Sequence, residues 1–181
     1  MFLWLIVIAL CVFADQLTKY IAVMFLRPVD TVPIIKDVLH LTYVENPGAA
    51  FGMLKDNRWV FMIISVVAII AMLIYLIRRT STSKLEGFAI SLIVSGGIGN
   101  MIDRVLLEYV VDFIDFRLIN FAVFNVADSF ICIGAGLLIL HVILLTVEES
   151  KAEKAKKAAL AAEADGEHFA NGDENDEDAL Q

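Results

Sequence analysis

The chain has 181 residues, 59% of them hydrophobic, and a mean hydropathy of +0.76. That is too apolar for an ordinary soluble domain. The net charge of −8 is uneven: residues 148–181 carry 11 acids against 4 lysines, so residues 1–147 are close to neutral. The acidity therefore belongs to a tail and says nothing about what the body binds, and no nucleic-acid partner is expected.

A membrane-crossing helix needs about 20 mostly apolar residues. Residues 2–25 meet this, interrupted by Asp15 and Lys19. They lack a basic leader and the apolar pattern resumes after Lys19, so the stretch reads as a retained span and not as a cleaved signal peptide. Asp15 and Lys19 stand four apart, and neutralising each other is a sufficient structural reason for both.

Residues 26–58 include VPIIKDVLHLTYVENPGAAFGML, whose β-branched runs, Pro and Gly predict short strands and a tight turn. The second span is residues 59–77. The short loop after it carries Arg78, Arg79 and Lys84. The third span is residues 85–102, with Asn100 and Asp103 at its end. Residues 103–124 are too apolar for a free loop and are expected along the membrane surface or over the bundle. The fourth span, residues 126–147, opens with Asn125 and Asp128 and is followed by Lys151, Lys154, Lys156 and Lys157. Cationic loops stay on the cytoplasmic side. Both termini are therefore expected inside the cell. Residues 148–181 form an acidic tail, expected to be cytoplasmic and disordered.

This topology gathers the unusual polar groups at the outer face: Asp15, Asn46, Asn100, Asp103, Asp112, Asn125 and Asp128. Two pairs share the form N-x-x-D, Asn100–Asp103 and Asn125–Asp128, which puts an amide and a carboxylate on one helix face. Capping is the competing explanation for Asn125, with Asp128 closing a capping box. Asp103-Arg104 also suits an interfacial anchor, and Asp115 is expected to face water. His40 and His141 are isolated and Cys11 and Cys132 read as small buried hydrophobes, so no metal, cofactor or disulfide is expected. The glycines at 96, 97, 99, 134 and 136 read as close helix contacts.

Without a Ser/His pair, a Cys/His pair or a metal box, the reactive candidates are carboxylates. Two acids held together share a proton, and the pair can activate water and protonate a peptide carbonyl. Spacing alone does not choose the pair among Asp15, Asp103, Asp112 and Asp128. Ion or proton transport is a second class, although a carrier would place its acids near the midplane and show repeats. A structural membrane protein is a third.

In order the chain reads ADQLTK (14–19), ENPGAAFG (45–52), GGIGNMIDR (96–104), VVDFIDF (110–116) and FNVADS (124–129). This ordered set, over residues 1–147, resembles the bacterial lipoprotein signal peptidases, also called signal peptidase II. The resemblance implies an all-α polytopic membrane protein: four transmembrane helices, a small extracytoplasmic β-sheet cradle and an amphipathic segment at the membrane surface. It implies an aspartic endopeptidase of the bacterial cell membrane, active at the extracytoplasmic face as a monomer without a cofactor. Its substrates would be prolipoproteins carrying diacylglycerol on the Cys just after the cleavage site. The catalytic residues would be Asp112 and Asp128, supported by Asp15, Asn46, Asn100, Asp103, Arg104 and Asn125. Ala127 would leave room beside Asp128 for the peptide.

Overall fold

The computed structural model describes residues 2–48, 58–78 and 83–177. Clustering of contacts divides the chain into two compact units, residues 1–139 and 140–181. The elements in order are α1 (Phe2–Phe25), β1 (Thr31–Ile35), β2 (Leu39–Asn46), α2 (Arg58–Arg78), α3 (Lys84–Leu106), β3 (Val110–Phe116), a 3₁₀ turn (Arg117–Ile119) and α4 (Val126–Glu177).

Among the described residues three helices are long and apolar enough to cross a membrane: Phe2–Phe25, Lys84–Leu106 and Val126–Lys154. A shorter apolar helix covers Met62–Arg78. Their surfaces are inverted relative to a soluble bundle. On α1 the exposed residues include Phe2, Leu10, Phe13 and Tyr20, while Asp15 and Lys19 are buried. An apolar exterior around a polar interior is what a lipid solvent selects.

The most enclosed of these helices is α3, which packs against α1 and α2. It starts on a capping box in sequence form, Ser83-x-x-Glu86, with the Ser83 hydroxyl accepting from the Glu86 amide at 3.1 Å. Its glycines let neighbours approach. A Cβ on Gly96 would strike the Ala127 carbonyl, and one on Gly134 would come 2.7 Å from the Ala89 carbonyl. Close packing thus explains Gly96, Gly97, Gly99 and Gly134, whereas nothing lies within 4 Å of a Cβ on Gly136. The buried core between α1, α2 and α3 centres on Ile8, Leu76, Ile90 and Val94.

The strands form one antiparallel sheet in the order β1-β2-β3. The predicted strands within 26–58 are β1 and β2. Asp37 turns between them in a left-handed conformation (φ 59°) that Asp tolerates well. The rest of that stretch, ENPGAAFG from residue 49 onward, lies outside the described residues, as do residues 79–82 of the cationic loop. The segment 103–124 takes the second of its two expected courses, over the bundle: its middle is β3, which packs against α1 and α3. As the last strand of the sheet it is bonded to β2 on one side, with a bridge from Ile114 to Phe124 on the other. Beyond it, Leu118 and Ile119 are exposed. In the β2–β3 ladder a bulge falls between Leu41 and Val44, where Thr42 and Tyr43 face Phe113. Bulges re-aim the side chains beyond them. Here the result is that Val44 and Asn46 share a face with Asp112.

Candidate active site

Each candidate carboxylate comes from a different element. Asp15 lies on α1, Asp103 on the last turn of α3, Asp112 in the middle of β3 and Asp128 in the first turn of α4. Asp15, Asp103 and Asp112 are buried, and Asp128 is half-buried.

Asp112 accepts from the Asn46 amide (Nδ2 to Oδ2, 2.9 Å) and from the Asn125 amide (Nδ2 to Oδ1, 2.7 Å). Asn46 is held in that orientation because its own Oδ1 accepts the Gly48 N–H at 3.1 Å. Asp128 accepts from Asn100 Nδ2 at 2.7 Å and from the Asn125 N–H at 3.2 Å. The Asp128 N–H in turn donates to Asn125 Oδ1 at 2.9 Å. That reciprocal pair is a capping box. Asn125 therefore caps α4 with its oxygen and donates to Asp112 with its nitrogen.

A second set of acids stands beneath. The Lys19 ammonium pairs with Asp15 Oδ2 at 3.0 Å and Asp103 Oδ2 at 3.1 Å, and donates to Asn100 Oδ1 at 2.9 Å. Gln16 Nε2 reaches Asp103 Oδ1 (3.0 Å), Asp15 Oδ2 (3.2 Å) and the Gly99 carbonyl (3.1 Å). Asp15 Oδ1 accepts the Ala127 N–H at 2.9 Å, an orphan donor at the start of α4, and Asp103 Oδ2 accepts the Val111 N–H at 3.0 Å. Arg104 donates to the Asn100 and Gly48 carbonyls at 3.3 Å, and its charge acts on Asp128, Asp112 and Asp103. All eight residues anticipated from the sequence thus fall in one connected polar network.

Gln16 and Lys19 join that network without having been singled out as site residues. Lys19 has a local partner, Asp15, which accounts for it on sequence grounds, and its further partners are 81 and more residues away. Ala127 is fully buried and packs against Gly96 and Gly99 of α3, so its small size serves helix contact and not space for a peptide. Cys132 is exposed and Cys11 partly so; both thiols are free. Asp115 does not face water as expected. It is 8% exposed and accepts from Thr42 Oγ1 (2.7 Å) and Arg117 Nε (2.9 Å). Burial opposes its ionisation, but these two bonds and the Arg117 charge outweigh that and hold it below the usual carboxylate range. It lies three residues from Asp112 along β3, and alternation sends the two side chains to opposite sheet faces.

Asp112 and Asp128 line a cavity of about 470 Å³ together with Asn46, Asn100 and Arg104. Its other walls are largely apolar: Val110, Phe121–Phe124 and Ile131–Ile133. Burial pushes the Asp112 carboxyl up to about 6; the Asn46 and Asn125 bonds oppose this and the Asp128 charge adds to it. A second cavity, of about 360 Å³ between α2 and α3, has an almost wholly apolar lining and no reactive group. Among the described residues no cluster of His, Cys, Asp or Glu is arranged to hold a metal ion.

The family model described as signal peptidase (SPase) II matches residues 7–144. A protein called lipoprotein signal peptidase from Caldanaerobacter subterraneus subsp. tengcongensis is 51% identical, the match covering 74% of this chain and 91% of that one. Its namesake from Brevibacillus brevis is 45% identical over 78% of this chain and 96% of its own length. Among solved structures, one described as a bacterial membrane enzyme has a TM-score of 0.74 at 35% identity, over 81% of this chain and 90% of that one. The match runs through α1, the sheet, α3 and the first half of α4, the elements that supply every carboxylate and amide of the network, and by it the chain belongs to the signal peptidase II family.

Proposed function

We propose that the protein is an aspartic endopeptidase of the bacterial cell membrane. It removes the signal peptide from diacylglyceryl-modified prolipoproteins, cutting just before the lipidated Cys, with Asp112 and Asp128 as the catalytic pair. Family membership supplies the reaction class. The observation that carries the assignment is that these two acids, from β3 and α4, face one cavity with their oxygens oriented by amides.

In this reading one proton serves the pair. Asp112, pushed up to about 6, retains it at pH values where an ordinary carboxyl has lost it. Asp128 takes a proton from a water molecule between the two acids, and the resulting hydroxide attacks the scissile carbonyl carbon. Asp112 gives its proton to the carbonyl oxygen. Collapse of the tetrahedral intermediate breaks the C–N bond: the proton gathered by Asp128 passes to the leaving amine, and a hydroxyl proton of the intermediate returns to Asp112 as the new carboxyl forms. The apolar walls exclude bulk water, so the fixed amide dipoles act in a low dielectric.

The membrane arrangement proposed is four crossings. Residues 2–25, 85–102 and 126–147 correspond to the three long apolar helices, and 59–77 to the shorter one. Cationic residues Arg78, Lys84, Lys151 and Lys154 support a reading with both termini in the cytoplasm and the dyad at the outer face. That depth suits a substrate whose acyl chains lie in lipid and whose scissile bond lies among headgroups.

The experiment is cleavage of a diacylglyceryl-modified prolipoprotein by the detergent-purified protein, read by mass spectrometry, with Asp112→Asn and Asp128→Asn in parallel. Wild type should release a product that begins at the lipidated Cys, and neither variant should. Normal turnover by either variant would remove that residue from the pair. No cleavage by folded wild type would favour transport, and proton flux would be measured next.

A further inference from the structure

Lys19 sits one turn beyond Asp15 on α1 and is 3% exposed. An ammonium has three hydrogens and no lone pair. Its three acceptors are Asp15 Oδ2, Asp103 Oδ2 and Asn100 Oδ1, at 3.0, 3.1 and 2.9 Å. Two carboxylates already exceed the single positive charge. Charge balance accounts for the first two contacts; the third, to a neutral amide, satisfies the remaining buried N–H.

That contact has a consequence for orientation. A side-chain amide has nearly the same shape in its two flipped states, so neighbours decide which end faces which way. Opposite a group that only donates, Asn100 must present its oxygen. Its nitrogen is then left to face Asp128, to which it donates at 2.7 Å. The same Asn100 oxygen accepts Asn125 Nδ2 at 3.0 Å, which turns the other Asn125 N–H to Asp112 Oδ1 (2.7 Å) and the Asn125 oxygen to the Asp128 N–H (2.9 Å). With Asn100 reversed, its oxygen would face the Asp128 carboxylate and its NH₂ would face two donors. One donor-only group, touching neither dyad acid, thus sets the polarity of every amide between them.

We propose that Lys19 is a positioning residue for the cleavage reaction: by holding the Asn100 oxygen it aims Asn100 at Asp128 and Asn125 at Asp112. This rests on the dyad reading above. Lys19 does not itself line the cavity and reaches it only through Asn100, so its removal is expected to change the turnover step more than substrate capture.

The test is a double-mutant cycle on purified, detergent-solubilised protein with Lys19→Met, Asn100→Ala and the pair, scored as kcat and KM per folded molecule. Folded amount comes from thermal melting and size-exclusion chromatography. Lys19→Met is expected to lower kcat by about 10- to 100-fold with KM within about threefold, the worth of one hydrogen bond to a charged group. Lys19→Arg, which keeps charge and donors, is expected to restore most of it. In the Asn100→Ala background Lys19→Met should cost much less than in wild type, because its positioning effect passes through Asn100 and only the direct action of its charge on Asp112 remains. Should Lys19→Met not fold, Lys19→Gln takes its place in the same cycle, with the same non-additivity expected. Additive losses, or a loss confined to the amount of folded protein, would overturn the proposal. Full activity of Asp128→Asn would defeat the dyad reading instead; an inactive Asp128→Asn beside an unimpaired Lys19→Met would defeat this inference alone.

Discussion

The molecule holds two pairs of acids within one polar network, and it treats them differently. Asp15 and Asp103 share an ammonium, Lys19, and each also accepts a backbone N–H from another element. They tie α1, α3, β3 and the start of α4 together, and a Cβ on Gly99 would collide with the Asp15 carboxylate. Asp112 and Asp128 are held by the amides of Asn46, Asn100 and Asn125 and open onto the cavity. An ammonium between two carboxylates ties their elements together; a neutral amide orients a carboxylate without adding a counter-charge. The same residue type thus serves as a rivet in one pair and lines the cavity in the other.

Replacing one acid from each pair separates these roles most sharply. Asp112→Asn should abolish cleavage and leave the protein folded. Asp103→Asn should break one of the two buried ion pairs of Lys19 and lower stability by roughly 3 kcal/mol, as broken buried pairs do, while its folded fraction retains measurable turnover. Thermal melting beside a cleavage assay reads both. An Asp103→Asn protein as stable as wild type but inactive would move Asp103 into the reacting pair.

The next effect is one of pH. Asp112 has a folded-state value of about 6 against an ordinary 3.8. Between these values the folded chain binds more protons than the unfolded one, so stability falls as pH rises through that window. The loss amounts to about 3 kcal/mol, complete above pH 6. Asp112→Asn lacks that term. Its melting temperature relative to wild type should therefore rise from pH 4 to pH 6.5 and then level. A difference that stays flat would mean that Asp112 is not held in a desolvating site.

Asn125 joins the two roles in one residue, and substitution can split them. Asn125→Ser keeps an oxygen to cap α4 but has no amide for Asp112 and Asn100. Asn125→Ala loses both. Cleavage should fall by about 10- to 100-fold in each, while only Asn125→Ala should also lose about 1 kcal/mol of stability. Equal rates for Asn125→Ser and wild type would make Asn125 a cap and nothing more.

The sequence carried the long elements and the identity of the polar cluster because these signals are local. An apolar run of span length is visible as such, and N-x-x-D places its ends on one helix face whatever the tertiary structure. Strand β3 was not legible. VVDFIDF is buried at six of its seven positions or nearly so, and a strand enclosed on both faces shows no alternation of apolar and polar residues. The wider role of Lys19 was hidden by a good local explanation: an i, i+4 partner in Asp15 closed the question before the distant Asp103 and Asn100 could enter. The capping and positioning readings of Asn125 had been set against each other, yet an amide has two ends, and the structure uses both.

The smallest effect tests the sheet that separates Asp115 from Asp112. Counted along the chain, Asp115 is a second acid beside the first. On a strand, three residues is an odd step, so Asp115 points to the face opposite Asp112, where Thr42 and Arg117 bind it. Removing its charge should weaken those bonds and cost about 1 kcal/mol, the usual worth of a partly exposed charge-assisted contact. The dyad should hardly notice. Asp115→Asn is expected to cleave within about twofold of wild type with an unmoved pH profile, because the β3 backbone stands between the two carboxyls. A displaced profile would mean that the Asp115 field reaches through the strand, and the separation of the two faces would have to be abandoned.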